Sequence, residues 1–290
     1  MPSSSDVSSS ASSPPHTLRS DPPLSIDIIL IGDSLSQVCL GHRTTTSLTL
    51  SSIIHHATAV SLACSHPLTP SQGAPFLVAD LPFGTFEVST QQGLESAIRL
   101  VKEAGVDMVK IEGGREILGL VKRLSEVGIP VMPHIGLTPQ KAVALSGYRV
   151  QGRTAEGAQA LFGLAKELEE AGASAILLEA IPSELAEYIT ERVGIPTIGI
   201  GAGAQTSGQV LVLTDALGVY PDAGKGGGGA PKFVRRFAEA GREMRRGVEE
   251  YVKAVRERSF PEEGVETYAM GKGEWERFTE GLEGKKEEKK

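Results

Sequence analysis

Met108-Val-Lys-Ile-Glu-Gly-Gly114 is a short apolar run that ends on an acid and then on two glycines. A run this short suits a buried strand rather than a helix, and the glycines mark the turn behind it. Upstream, residues 93–104 have helical spacing and stop at Gly105; downstream, residues 115–127 do the same and stop at Gly128. Glycine after the last helical turn supplies a left-handed cap, and Val193-Gly194 repeats the device.

The same unit recurs in both directions. Strands are expected at 28–31, ending in Gly32-Asp33-Ser34, and at 76–79, ending at Asp80. Others are expected at 130–132, leading into His134, and at 175–178, ending at Glu179. The last two are 197–200, before Gly201-Ala-Gly203, and 210–213, before Thr214-Asp215. Helical spacing fills 51–63, 155–171 and 183–193. Repeated β–α units with wholly apolar strands mean a parallel sheet covered by helices, either a closed barrel or an open doubly wound sheet. The polar residues favour the barrel. Asp33, Asp80, Glu112, His134 and Glu179 each close a different expected strand. Barrel strand ends converge on one face, whereas those of an open sheet spread along a line.

Composition narrows the partners. The formal charge is -7, so no basic field attracts nucleic acid. Aromatics are 5%, too few for a stacking surface, while Gly is abundant at 34. Cys39 and Cys64 form no CxxC pair, which speaks against a disulfide framework or a cysteine zinc site and for a reducing compartment. No apolar run is long enough to span a bilayer. Residues 1–25 are rich in Ser and Pro and lack a signal core. Arg19 is their only Arg, and Asp6 and Asp21 intrude, so plain disorder is favoured over a mitochondrial transit peptide. A soluble intracellular protein is expected, cytoplasmic or in the mitochondrial matrix. Residues 26–258 are expected to form the barrel domain, closed by a basic amphipathic docking helix carrying Phe233, Phe237, Met244, Val248, Tyr251 and Val255. Residues 259–290 form an extended tail, disordered from Gly281 onward.

The strand-end residues suggest chemistry. Asp33, Asp80 and Glu112 suit Mg2+, a hard ion that takes a few carboxylates plus water and substrate oxygens; the alternative is acids that cap helices or solvate loops. Strand side chains alternate, so Lys110 shares a side with Glu112, one layer deeper. A lysine there needs an anion: a substrate carboxylate or developing enolate, or an internal acid. Glu179 follows an apolar run, and partial burial makes a carboxylate a better proton acceptor near neutral pH. His134 reads as a substrate hydrogen-bonding group or a satisfied core histidine, without zinc spacing. His55 and His56 read as structural. Gly199-Ile-Gly-Ala-Gly-Ala204 is a weak dinucleotide fingerprint in the wrong context, and 218–225 lacks the spacing of a phosphate loop.

A set of segments in order resembles the ketopantoate hydroxymethyltransferase family. They are Ile31-Gly-Asp-Ser-Leu35, Val78-Ala-Asp-Leu-Pro-Phe83, Met108-Val-Lys-Ile-Glu-Gly-Gly114, His134-Ile-Gly-Leu-Thr-Pro-Gln140, Gly147-Tyr-Arg-Val-Gln-Gly-Arg153, Leu178-Glu-Ala-Ile-Pro182 and Ile198-Gly-Ile-Gly-Ala-Gly203. The resemblance implies a TIM-type (β/α)8 barrel that passes a one-carbon unit from 5,10-methylenetetrahydrofolate to 3-methyl-2-oxobutanoate, for pantothenate and coenzyme A. It implies Mg2+ held by Asp33, Asp80 and Glu112. It implies substrate contacts from Asp33, Ser34, Asp80 and Lys110, with Glu179 as proton acceptor. It also implies a homo-oligomer. The family's first β–α unit has no counterpart here, because the Ser/Pro-rich stretch contains no plausible buried strand. The stretches 65–74 and 224–229 depart from the family pattern as well. Alternative readings are another Mg2+-dependent 2-oxo acid lyase or aldolase, or an inactive remnant of the family.

Overall fold

The computed structural model describes residues 26–64, 75–141, 149–220 and 231–287. The Ser/Pro-rich stretch and the 65–74 and 224–229 departures lie outside the described residues. The chain divides into two compact units between Val210 and Leu211.

The first unit alternates strands and helices. In chain order these are β1 (Ile28–Ile31), α1 (Leu35–Val38), α2 (Leu50–Cys64), β2 (Phe76–Asp80), α3 (Thr90–Ala104), β3 (Met108–Glu112) and α4 (Leu118–Glu126). Then come β4 (Val131–Gly136), α5 (Ala155–Glu170), β5 (Ile176–Glu179), α6 (Ser183–Thr190), β6 (Thr197–Ile200) and β7 (Gly208–Gln209). All pairings are parallel, and the sheet order β1-β2-β3-β4-β5-β6-β7 follows the sequence. An open doubly wound sheet reverses its strand order at a switch point; this sheet never does. The winding is that of a TIM-type barrel, with seven described strands instead of eight.

Alternation along the strands separates two apolar layers. Ala79, Val109, Ile111, Val131, Ile135, Ile176 and Leu178 point outward and pack under the helices. Val78, Met108, Met132, Ala175 and Leu177 point inward and cluster with Leu30, Ile198, Ile200 and Val210. One pleat further along, the inward row becomes polar, with Asp80, Lys110, Glu112 and His134 all buried.

Gly105 and Gly128 cap α3 and the turn after α4 with φ of 68° and 80°, as expected. Gly194 does not repeat the device. The helix before it ends at Thr190, and the Gly194 N–H donates to the Glu169 carboxylate. The strand expected at 210–213 is also corrected. Pairing centres on Gly208–Gln209, because Ser207 and Thr197 exchange two side-chain-to-backbone hydrogen bonds of 3.1 and 3.3 Å that pin the chain earlier. The ladder then yields to a helical turn.

The second unit holds that turn, α7 (Leu213–Ala216), then α8 (Ala240–Glu257) and α9 (Glu274–Glu287). Tyr251 of α8 meets Phe260 edge-on at 5.6 Å. Helix α9 runs through residue 287, into the stretch that follows Gly281. Among the described residues no helix is long and apolar enough to cross a membrane.

Candidate active site

Strand register brings the polar side chains together. Asp80 is the cross-strand partner of Lys110, and Glu112 that of His134. Directly opposed residues share a face, so each pair meets without help from loops. Lys110 Nζ lies 2.8 Å from Asp80 Oδ1 and 3.9 Å from Glu112 Oε1. His134 Nδ1 lies 3.3 Å from Glu112 Oε1, and its Nε2 lies 3.1 Å from Glu179 Oε2. Asp33 joins from the loop after β1, where its N–H donates to Asp80 Oδ2 at 2.8 Å.

Two loop features complete the frame. Gly136 has φ of 94°, and a Cβ there would stand 2.3 Å from the Glu179 carbonyl oxygen. Only glycine lets the end of β4 approach β5 this closely. The chain then turns, and Gln140 folds back over the strand ends. Its N–H donates to Glu112 Oε2 at 2.9 Å, and its side-chain amide donates to Asp33 Oδ2 at 2.9 Å and to the Leu81 carbonyl at 3.1 Å.

The charges are strongly coupled. Burial raises the Asp33 carboxyl to about 7, helped by the neighbouring charges of Asp80 and Glu112 and opposed by Lys110 and Gln140. Burial also raises Asp80, against the pull of Lys110. For Lys110 burial disfavours the ammonium, but Asp80, Glu112 and Asp33 together hold it protonated above the ordinary lysine value. Glu112 is lowered: burial opposes this, and His134, Lys110 and the Gln140 N–H outweigh it. His134 is pushed up to about 9; burial and Lys110 resist, and Glu112 and Glu179 prevail.

The tautomer of His134 follows from its neighbours. Lys110 Nζ is 3.1 Å from Nδ1 and can donate there only to a neutral ring. A charged ring instead offers its Nδ1–H to Glu112. In both states Nε2 carries a hydrogen facing Glu179. That approach is short but off-line, so buried Nε2 has no well-directed acceptor.

The arrangement bears on a metal. Among the described residues no three His, Cys, Asp or Glu side chains are grouped to hold an ion by themselves. Both Glu112 oxygens are already engaged, by His134 and by the Gln140 N–H. Mg2+ needs no closed protein cage, however; one or two carboxylates with water and substrate oxygens suffice. Asp33 and Asp80 fit that description. Asp80 Oδ1 is buried and accepts no well-directed hydrogen bond, despite its ion pair with Lys110. The hard oxygens of three crowded acids suit Mg2+ better than a softer ion.

The sequence-expected residues Asp33, Asp80, Lys110, Glu112, His134 and Glu179 thus form one contact network. Ser34 stands apart: it is half-buried at the start of α1, where its side chain makes no capping bond. Gln140 is the residue that sequence reading misses. A single amide in a turn carries no periodic or charge signal, and burial alone reveals it.

Fold and site together define a barrel-type α/β protein with a buried ionisable cluster at the C-terminal ends of its strands, the position where such folds carry their active sites. Residues 22–263 match the family described as ketopantoate hydroxymethyltransferase. The chain belongs to that family. A Desulfotalea psychrophila protein named 3-methyl-2-oxobutanoate hydroxymethyltransferase is 45% identical over 239 residues, covering 82% of this chain and 80% of its own. A protein of the same name from Emericella nidulans is 43% identical over 264 residues, covering 91% of this chain and 72% of its own. Among solved structures, phosphonopyruvate hydrolase aligns with a TM-score of 0.46 at 12% identity, covering 88% of this chain and 83% of its own.

Proposed function

We propose that this chain transfers a hydroxymethyl group from 5,10-methylenetetrahydrofolate to 3-methyl-2-oxobutanoate, giving 2-dehydropantoate (ketopantoate), with Mg2+ as the required ion. The observation that carries the reading is the unbroken contact network from Asp33 through Asp80, Lys110, Glu112 and His134 to Glu179. It sets paired acids and a cation at one side and the Glu179 carboxylate at the other.

Asp33 and Asp80 would hold Mg2+, with Glu112 behind them. When bound, the ion would polarise the keto group and so acidify the C3 proton. Glu179 accepts that proton while the C–H electron pair moves into the C2–C3 bond. The His134 ring lies beside the Glu179 carboxylate, with Nε2 3.1 Å from Oε2. Lys110, held protonated by its acidic neighbours, faces the negative charge that develops. Water adds to the methylene carbon of the folate as its two C–N bonds break, releasing tetrahydrofolate and a formaldehyde-level carbon. C3 bonds that carbon, and its oxygen takes up the proton held by Glu179 to become the new hydroxyl.

The test is direct. The folded protein with both substrates and Mg2+ should form ketopantoate, and lose that activity when the metal is chelated. No product under these conditions would overturn the reading. Condensation or cleavage that ignores folate would place the chain among 2-oxo acid lyases or aldolases instead.

A further inference from the structure

We propose that Gln140 is the positioning residue that sets Asp33 for the cation, an inference that rests on the Mg2+ reading above. Its side-chain amide has two N–H donors, and both are committed, one to Asp33 Oδ2 and one to the Leu81 carbonyl. Flipping the amide would turn its oxygen onto a carboxylate and a carbonyl, so the orientation is fixed by its partners. Its backbone N–H holds Glu112 Oε2 as well. One residue therefore ties together the ends of β1, β2 and β3, and Leu81 directly follows Asp80 in the chain.

The amide is suited to this task because it is neutral. Lys110 already compensates Asp80; a second ammonium or guanidinium on Asp33 would cancel the charge that draws a cation. An amide N–H fixes one carboxylate oxygen and leaves the charge in place, while Oδ1 lies outside that hydrogen bond. Asp33 stands in the loop just after β1, and Gln140 ties that loop to the ends of β2 and β3. Gln140 is 7% exposed, so it acts through Asp33 and Glu112 and not on the solvent side.

The experiment is a calorimetric Mg2+ titration of the folded full chain, wild type against Gln140→Met, alongside kcat and KM for the 2-oxo acid. Methionine keeps the length and apolar bulk and removes both donors; the backbone bond to Glu112 survives. Partners that orient metal ligands are typically worth ten- to a hundredfold in metal affinity, so Mg2+ should bind about tenfold or more weakly. KM for the metal-dependent 2-oxo acid should rise with it. Should Gln140→Met fail to fold, Gln140→Asn, one methylene too short to reach Asp33, carries the same expectation. A variant that loses only thermal stability, with Mg2+ affinity unchanged, overturns the proposal and leaves the function standing. A wild type that binds no Mg2+ removes both together.

Discussion

Lys110 Nζ sits 2.8 Å from Asp80 Oδ1, with the two side chains 4% and 2% exposed. A buried pair of this kind is worth little as such, but breaking it strands a charge, which costs about 3–5 kcal/mol. Lys110→Met should therefore destabilise the protein by about that amount in urea unfolding. Lys110→Met combined with Asp80→Asn should recover part of the loss, since the Asp80 carboxylate is then no longer left buried without its cation. A double variant no more stable than the single would show that the ion pair is not the source of the cost.

Glu179 is assigned proton removal but no part in holding the ion. Glu179→Gln should bind Mg2+ and the 2-oxo acid much as the wild type does. Deuterium uptake at C3, followed by NMR without folate, should cease or fall by about 100-fold or more. Continued exchange at the wild-type rate would move the base to another residue.

The Asp33 carboxyl, at about 7, would give the proposed Mg2+ binding a pH dependence. Because its pKa is raised on folding, Asp33 contributes stability in the ion-free protein that is full below the ordinary value of 3.8 and lost as pH rises through about 7. Mg2+ requires the ionised form and so displaces the proton. The rise in Tm caused by Mg2+ should be larger at about pH 8 than at about pH 6. An equal rise at both would mean that Asp33 is already ionised in the free protein.

Gly136 tests the frame instead of the chemistry. Gly136→Ala would combine a left-handed backbone with a Cβ placed 2.3 Å from the Glu179 carbonyl oxygen and 2.8 Å from Ile181 Cγ2. The two effects together should cost about 2–4 kcal/mol, and relief of the clash should displace Glu179. Turnover should then fall further than Mg2+ affinity. Unaltered stability would mean that β4 and β5 can separate freely at this point.

Much of the barrel is legible in the sequence because one rule repeats. A short apolar run, an acid and a glycine locate β3 and β1, and an apolar run ending on an acid locates β2 and β5. The placing of Lys110 behind Glu112 follows from strand alternation alone. What escapes the sequence depends on distant segments meeting. Gln140 reaches Asp33 across 107 positions, and no local pattern announces that. The bridging of Glu112 and Glu179 by His134 needs the β3-β4-β5 register as well as the residue. The slip at β7 has a local cause, but it lies in the hydroxyls of Thr197 and Ser207, where a hydrophobic pattern does not look.

β1 is an edge of the seven-stranded arc among the described residues, and it delivers Asp33. Edge elements are the first to come loose in native-state fluctuations, well before the global transition. Detachment of this one ribbon would disarm the catalyst while most of its architecture stayed intact. Mild denaturant or warming should then silence the enzyme ahead of any spectroscopic sign of unfolding, and an occupied cation site, by gripping the ribbon, should delay that silence.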